Sequence, residues 1–143
     1  MSVVLAQPLR RRTVLLVDDN AVVRTLVRRL FAVEADFEVS GEAENGREAI
    51  EKAVNLRPDL VILDLAMPVM NGFAAASELR KSLPDTKIIL FTVEEADGID
   101  RLANEAGIHA VVLKHNAPQL IPQARSLLDS EDEADPGKLR TAS

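Results

Sequence analysis

The sequence predicts an α/β domain built on a parallel sheet, and two observations carry that prediction. Short runs of branched apolar residues alternate along the chain with longer amphipathic stretches. Several runs, such as VLLV, LVIL and IIL, are apolar on both sides of the pleat, as strands covered on both faces must be. Parallel neighbours need a crossover about as long as a helix, and the amphipathic stretches supply one between successive runs.

Taken in order, the first strand is TVLLV at 13–17. The helix at 20–33 repeats Val23, Leu26, Val27, Leu30 and Phe31 at helical spacing and leaves Arg24, Arg28 and Arg29 as a solvated face. Strands follow at 37–43, 59–65, 86–92 and 109–114, and helices at 46–56, 71–82, about 96–106 and about 118–129. Pro122 disfavours helical geometry at Ile121 and predicts a late start or a kink in the last helix. The first and third runs are the most hydrophobic and are expected at the centre of the sheet. The pattern is that of a flavodoxin-like (βα)5 fold with strand order 2-1-3-4-5 and helices on both faces. Residues 1–12 read as an N-terminal extension, 13–129 as the domain, and the acidic 130–143 as a disordered tail.

Composition narrows the function. Across 143 residues there is no cysteine, which removes disulfides, thiolate metal sites and thiol chemistry. Four Phe, no Tyr or Trp, and a net charge of -6 disfavour nucleic-acid binding. The start, MSVVLAQPLRRR, places its basic residues after the apolar run and does not read as a signal peptide, and no stretch is long enough to span a bilayer. A cytoplasmic protein with no membrane contact is expected.

In open parallel sheets, ligands bind beyond the carboxyl ends of the strands, where the strand order reverses. The first run ends in Asp18-Asp19, the third reaches Asp64, the fourth closes on Thr92 and the fifth on Lys114. Gathered carboxylates repel one another and need a compensating cation, for which Mg²⁺ is the best candidate as a hard ion that prefers oxygen. A carboxylate can attack phosphorus, an ammonium can neutralise a phosphoryl oxygen, and a hydroxyl can donate to another. Singly, each residue has a plainer reading. Asp18 or Asp19 could cap the first helix, although Asn20 does so equally well; Thr92 or Lys114 alone would be a surface residue. His109 and His115 lack metal-ligand spacing and are assigned nothing.

Together LLVDDN at 15–20, DLVILDLAMPVMNG at 59–72, Thr92 after IILF and Lys114 after VVL resemble a response-regulator receiver domain. The similarity runs from about Thr13 to Leu128. It implies that Asp64 is the phosphoacceptor, that Asp19 ligates Mg²⁺ directly and Asp18 mainly through water, and that the Ala66 carbonyl completes the protein ligands. It also implies a histidine kinase or phosphotransfer protein as donor, output through contact with a further protein, and a monomer or phosphorylation-dependent dimer. The chain is then a signalling phosphoacceptor and not an enzyme acting on other substrates. Met67-Pro68 and Asn71-Gly72 are read as ending the strand and turning into the next helix.

Three positions depart from the family pattern. His115 stands where proline often follows the lysine in a cis peptide, Val111 where an aromatic switch is common, and Val93 where a small residue usually leaves the acceptor accessible. With Val111 too short and stiff to act as a plug, the loop 93–98 is expected to carry the response. Two alternatives remain: a receiver-shaped module acting without phosphorylation, and an aspartate-nucleophile phosphotransferase, which would need a second Asp where Ala66 stands. A flavin binder is disfavoured because DDNAVVR is acidic where a phosphate loop would lie.

Overall fold

The computed structural model describes residues 10–93 and 97–129, with the backbone alone of 140–142. Strands β1 (Arg12–Val17), β2 (Phe37–Ala43), β3 (Leu60–Leu63), β4 (Lys87–Thr92) and β5 (Ala110–Leu113) alternate with helices α1 (Ala21–Ala32), α2 (Gly46–Leu56), α3 (Gly72–Ser82) and α4 (Ile99–Glu105). A 3-10 segment (Lys114–Gln119) leads from β5 into α5 (Leu120–Asp129). All strand pairs are parallel, in the order β2-β1-β3-β4-β5, so the flavodoxin-like order expected from the sequence is the one found.

Helix starts follow local chemistry. Asn20, Asn45 and Asn71 cap α1, α2 and α3, each accepting from backbone N–H groups of the first turn. The last helix begins at Leu120, later than 118, and Pro122 lies in its first turn, where a missing N–H costs least. No kink divides it. No peptide bond among the described residues is cis, that between Lys114 and His115 included.

The alternation of β1 and β3 divides the core. Leu15, Val17, Val61 and Leu63 pack on α2, α3 and α4 through Ala49, Ala53, Ala75, Ala76 and Ala103. Val14, Leu16, Leu60 and Ile62 pack on α1 and α5 through Val27, Phe31, Leu120 and Leu128. The alanines let α2 and α3 approach the sheet closely, and the strands have no polar face, as their doubly apolar runs require.

Two features depart from the sequence reading. A sixth strand, β6 (Arg140–Ala142), pairs in parallel with β5, within a segment read as disordered tail; an edge strand offers unpaired N–H and C=O groups that an extended segment can satisfy. The rest of that tail, 130–139 and 143, lies outside the described residues, as do 1–9 and 94–96, the last of which covers much of the loop expected to carry the response. The second departure is a β-bulge: the β1–β2 register shifts between Val14 and Leu15, so that Val39 pairs with Val14 but Gly41 with Leu15. Unbroken alternation would put Val39, Gly41 and Ala43 on one face. The extra residue, Ser40, instead turns Ala43 toward α2 and Glu42 toward α1.

The loop after β3 is held by close backbone contact. Gly72 donates its N–H to the Leu65 carbonyl at 2.9 Å, and a Cβ there would collide with the Asp64 carbonyl oxygen and the Leu65 Cα. Gly72 therefore serves close approach more than the turn expected of it. The left-handed conformation falls on Val69 (φ 72°), where the Met70 N–H reaches the Pro68 carbonyl at 2.8 Å, a γ-turn of the strained hand. Because the obstruction at Gly72 is backbone that cannot rotate away, Gly72→Ala should destabilise the protein by about 2–3 kcal/mol. Urea denaturation checks this; a loss within experimental error of zero would mean that the loop yields.

Candidate functional site

The carboxyl ends of β1 and β3 meet at the point where the strand order reverses. Asp18 follows β1 and donates its N–H to the Ala43 carbonyl at 3.1 Å; Asp64 follows β3 and donates to the Val17 carbonyl at 2.9 Å. Since Val17 pairs with Leu63, the two acids stand side by side. Both are buried, at 4% and 5% exposure, while Asp19 is exposed. Carboxylate oxygens of Asp18, Asp19 and Asp64 lie within 4.8 Å of one another.

Lys114, just beyond β5, brings its Nζ to 2.8 Å from Asp18 Oδ2 and 3.4 Å from Asp64 Oδ1. Asp18 Oδ1 accepts the Asn20 N–H at 2.9 Å. Asp18 Oδ2 has the ammonium as an ion-pair partner but no well-directed hydrogen bond, which leaves a buried oxygen with lone-pair capacity facing the cluster. Thr92 ends β4 fully buried, paired in register with Leu113, the residue before Lys114. Ala66 lies exposed in the loop two residues past Asp64, and Val93 is exposed just beyond Thr92. Val111 is buried among α4-side core residues.

The electrostatics follow from this crowding. Burial, then the neighbouring charge of Asp18, pushes Asp64 up to about 6, with Lys114 pulling the other way. Burial works against the charge on Lys114, but Asp18 and Asp64 outweigh it and hold the ammonium above its ordinary value. Three carboxylates thus face one ammonium, all hard oxygen donors with one buried lone pair unspent. That donor set suits a small divalent cation such as Mg²⁺.

Two residues that the sequence reading passed over turn out to be engaged. Arg24, read as solvated, has only 12% of its side chain exposed and reaches the Asp18 carbonyl and Glu42. Helical periodicity shows only that Arg24 lies off the apolar stripe; its partners depend on the bulge in β2. His109 accepts the Ile88 N–H on Nδ1 at 3.0 Å while donating its own N–H to the Ile88 carbonyl at 2.8 Å, so its ring acts as a strand acceptor at the far end of the sheet. Burial, then the charges of Lys87 and Arg80, pushes it down to about 4.

Comparison with known proteins gives the same picture. The family model described as response regulator receiver domain matches residues 14–125. The response regulator protein VraR of Staphylococcus aureus is 37% identical over 111 residues, covering 78% of this chain and 53% of that protein. The chain thus spans about half the length of the curated relatives it matches. The response regulator domain of Thermotoga maritima CheB superposes with a TM-score of 0.78 at 30% identity, over 84% of this chain and 98% of that one. A DNA-binding response regulator of the LuxR family from Staphylococcus aureus gives 0.76 at 26% identity, over 82% and 98%.

Asp64 and His109 make opposite contributions to pH dependence in metal-free protein. Asp64 binds its proton more tightly when folded, so stability falls as pH rises from 3.8 to about 6. His109 is harder to protonate when folded, so stability falls as pH drops from 6.5 to about 4. In EDTA at pH 7, Asp64→Asn should be more stable than the parent by roughly 1–2 kcal/mol, discounted for solvent screening at the mouth of the site. Below pH 4 the advantage should vanish, and the variant should show the acid loss from His109 more steeply. Urea melts across this range test it; a variant no more stable than the parent at pH 7 would contradict the crowding described.

Proposed function

The chain belongs to the family of response regulator receiver domains, and from that premise we propose that it accepts a phosphoryl group on Asp64, with Mg²⁺ held by Asp18, Asp19, Asp64 and the Ala66 carbonyl. Receivers are signalling modules more than metabolic enzymes. The observation that carries the reading is the cluster itself: three carboxylates within 4.8 Å, two of them buried against Lys114. Bound there, Mg²⁺ supplies charge neutralisation between the carboxylates and the transferring group.

The chain's own residues do the rest. Asp64 attacks phosphorus through a carboxylate oxygen; the new O–P bond forms as the P–N bond to a phosphohistidine donor breaks, and the leaving imidazole takes up a proton from solvent. Lys114 opposes the burial and the Asp18 charge that push Asp64 up, and stands ready to pair with a phosphoryl oxygen. Thr92, buried at the end of the adjacent strand, donates its hydroxyl to another. Apolar packing beneath both acids excludes water from one side of the site.

The donor is a histidine kinase or a phosphotransfer protein, and output runs through contact with another protein. The net charge of -6 supports protein contact over nucleic acid for this chain, although the Staphylococcus aureus structure is named as a DNA-binding regulator. Among the described residues no helix is long and apolar enough to cross a membrane.

Incubation with acetyl phosphate and Mg²⁺ should add one phosphoryl group by intact mass, and Asp64→Ala or EDTA should abolish it. Undiminished labelling in either case removes the assignment, and no labelling of the parent favours a module acting without phosphorylation. Lys114→Ala should retain Mg²⁺ binding while losing on the order of 2 kcal/mol of stability without metal, because two buried carboxylates lose their counter-charge. It should also lose phosphorylation-dependent changes in amide exchange; a full response would exclude the assigned role.

A further inference from the structure

Asp19 is the one acid of the cluster whose carboxylate is exposed, and among the described residues no hydrogen bond or ion pair to that carboxylate is found. Its direction is therefore set by the backbone that carries it. The peptide unit joining Asp18 to Asp19 lies past the end of β1, where its carbonyl has left the ladder and needs another donor. Arg24 provides it: one terminal nitrogen donates to the Asp18 carbonyl at 2.6 Å.

The guanidinium is anchored at its other edge. Its Nε donates to Glu42 Oε1 on β2 at 2.8 Å, with Glu44 at 3.8 Å from the second terminal nitrogen. Glu42 is in turn held through its other oxygen by Arg28. Val17, Val23 and Phe91 line a narrow cleft beside the Arg24 stem. Arg24 sits in the first turn of α1, its own N–H bonded to the carbonyl of the capping Asn20. Its side chain thus ties α1 and β2 to a single peptide plane at the end of β1.

We propose that Arg24 is a positioning residue for the Mg²⁺ site: by gripping the Asp18 carbonyl it fixes the plane of the 18–19 peptide and so aims the Asp19 carboxylate at the cation. This rests on the reading of the acidic cluster as a Mg²⁺ and phosphoryl site. Groups that orient ligands without touching the metal commonly control affinity by ten- to a hundred-fold. Charge cannot mimic the effect, because removing a cation near a divalent-ion site should tighten binding, whereas losing the grip should weaken it. The planar fork also matters, since a lysine at this position cannot hold the carbonyl and Glu42 together.

The test measures Mg²⁺ affinity by calorimetry on the full chain, with the Asp19 amide resonance as a second readout. Arg24→Gln should weaken Mg²⁺ binding about ten-fold and shift the Asp19 amide in metal-free protein. At saturating Mg²⁺ its phosphorylation rate with acetyl phosphate should return to within about three-fold of the parent, separating metal affinity from chemistry. Arg24→Lys should fall between the two, and decides the matter alone if the glutamine variant does not fold. Arg28→Gln, which loses the same charge but no contact with Asp18, should bind Mg²⁺ like the parent. Parent-like or tighter binding by Arg24→Gln, parent-like binding by Arg24→Lys, or equal weakening by Arg28→Gln overturns the proposal. Failure of the parent itself to bind Mg²⁺ or to be phosphorylated instead defeats the reading on which it rests.

Discussion

Two carboxylates buried side by side against one ammonium leave the site with a surplus of negative charge, and much of the surrounding structure serves to hold that arrangement in place. Asp18 and Asp64 are adjacent because β1 and β3 pair in register to their last residues, so neither can relax away without breaking the centre of the sheet. Lys114 compensates one charge and only partly the second, and Asp64 stays well above its ordinary carboxylate value. A divalent cation bound there would relieve the remainder, and under the proposed function a phosphoryl group on Asp64 would give Lys114 a new partner.

Rigidity is distributed to suit this chemistry. Beneath the acids lie branched side chains packed on both faces of the sheet, while above them the backbone is held by contacts too close for a side chain. Gly72 rests on the Asp64 carbonyl and Gly46 on Met70, so the N-termini of α2 and α3 both bear on the loop after β3. That loop carries its strain at Val69, a β-branched residue in the left-handed region, which persists only because the surroundings determine it.

At the opposite end of the sheet the device is different. His109 completes the ladder between β4 and β5 with a ring nitrogen in place of a carbonyl, and burial, then the charges of Lys87 and Arg80, disfavours its protonation. This ties β5, the strand that delivers Lys114, to β4, which delivers Thr92. The bond adds to a pairing that runs from Ile89 and Ala110 up to Thr92 and Leu113 beside the site.

Five of the strands, their order and the identity of the cluster residues were legible in the sequence because each depends on a short-range pattern. Doubly apolar runs can only be central parallel strands, asparagine before an apolar period caps a helix, and polar residues at several strand ends converge once the order is set. Tertiary structure decided what those patterns do not encode. One extra residue at Ser40 reverses the alternation of β2 and turns Glu42 onto the face of α1, and only then does Arg24 cease to be a solvated residue. The sixth strand likewise arises from an edge that needs a partner, in a segment with no apolar period of its own. Sequence determined which groups lie at the rim, since burial and periodicity are properties of neighbours along the chain. The structure decided which of them touch, since a bulge, a close approach and a buried counter-charge exist only between segments remote in sequence.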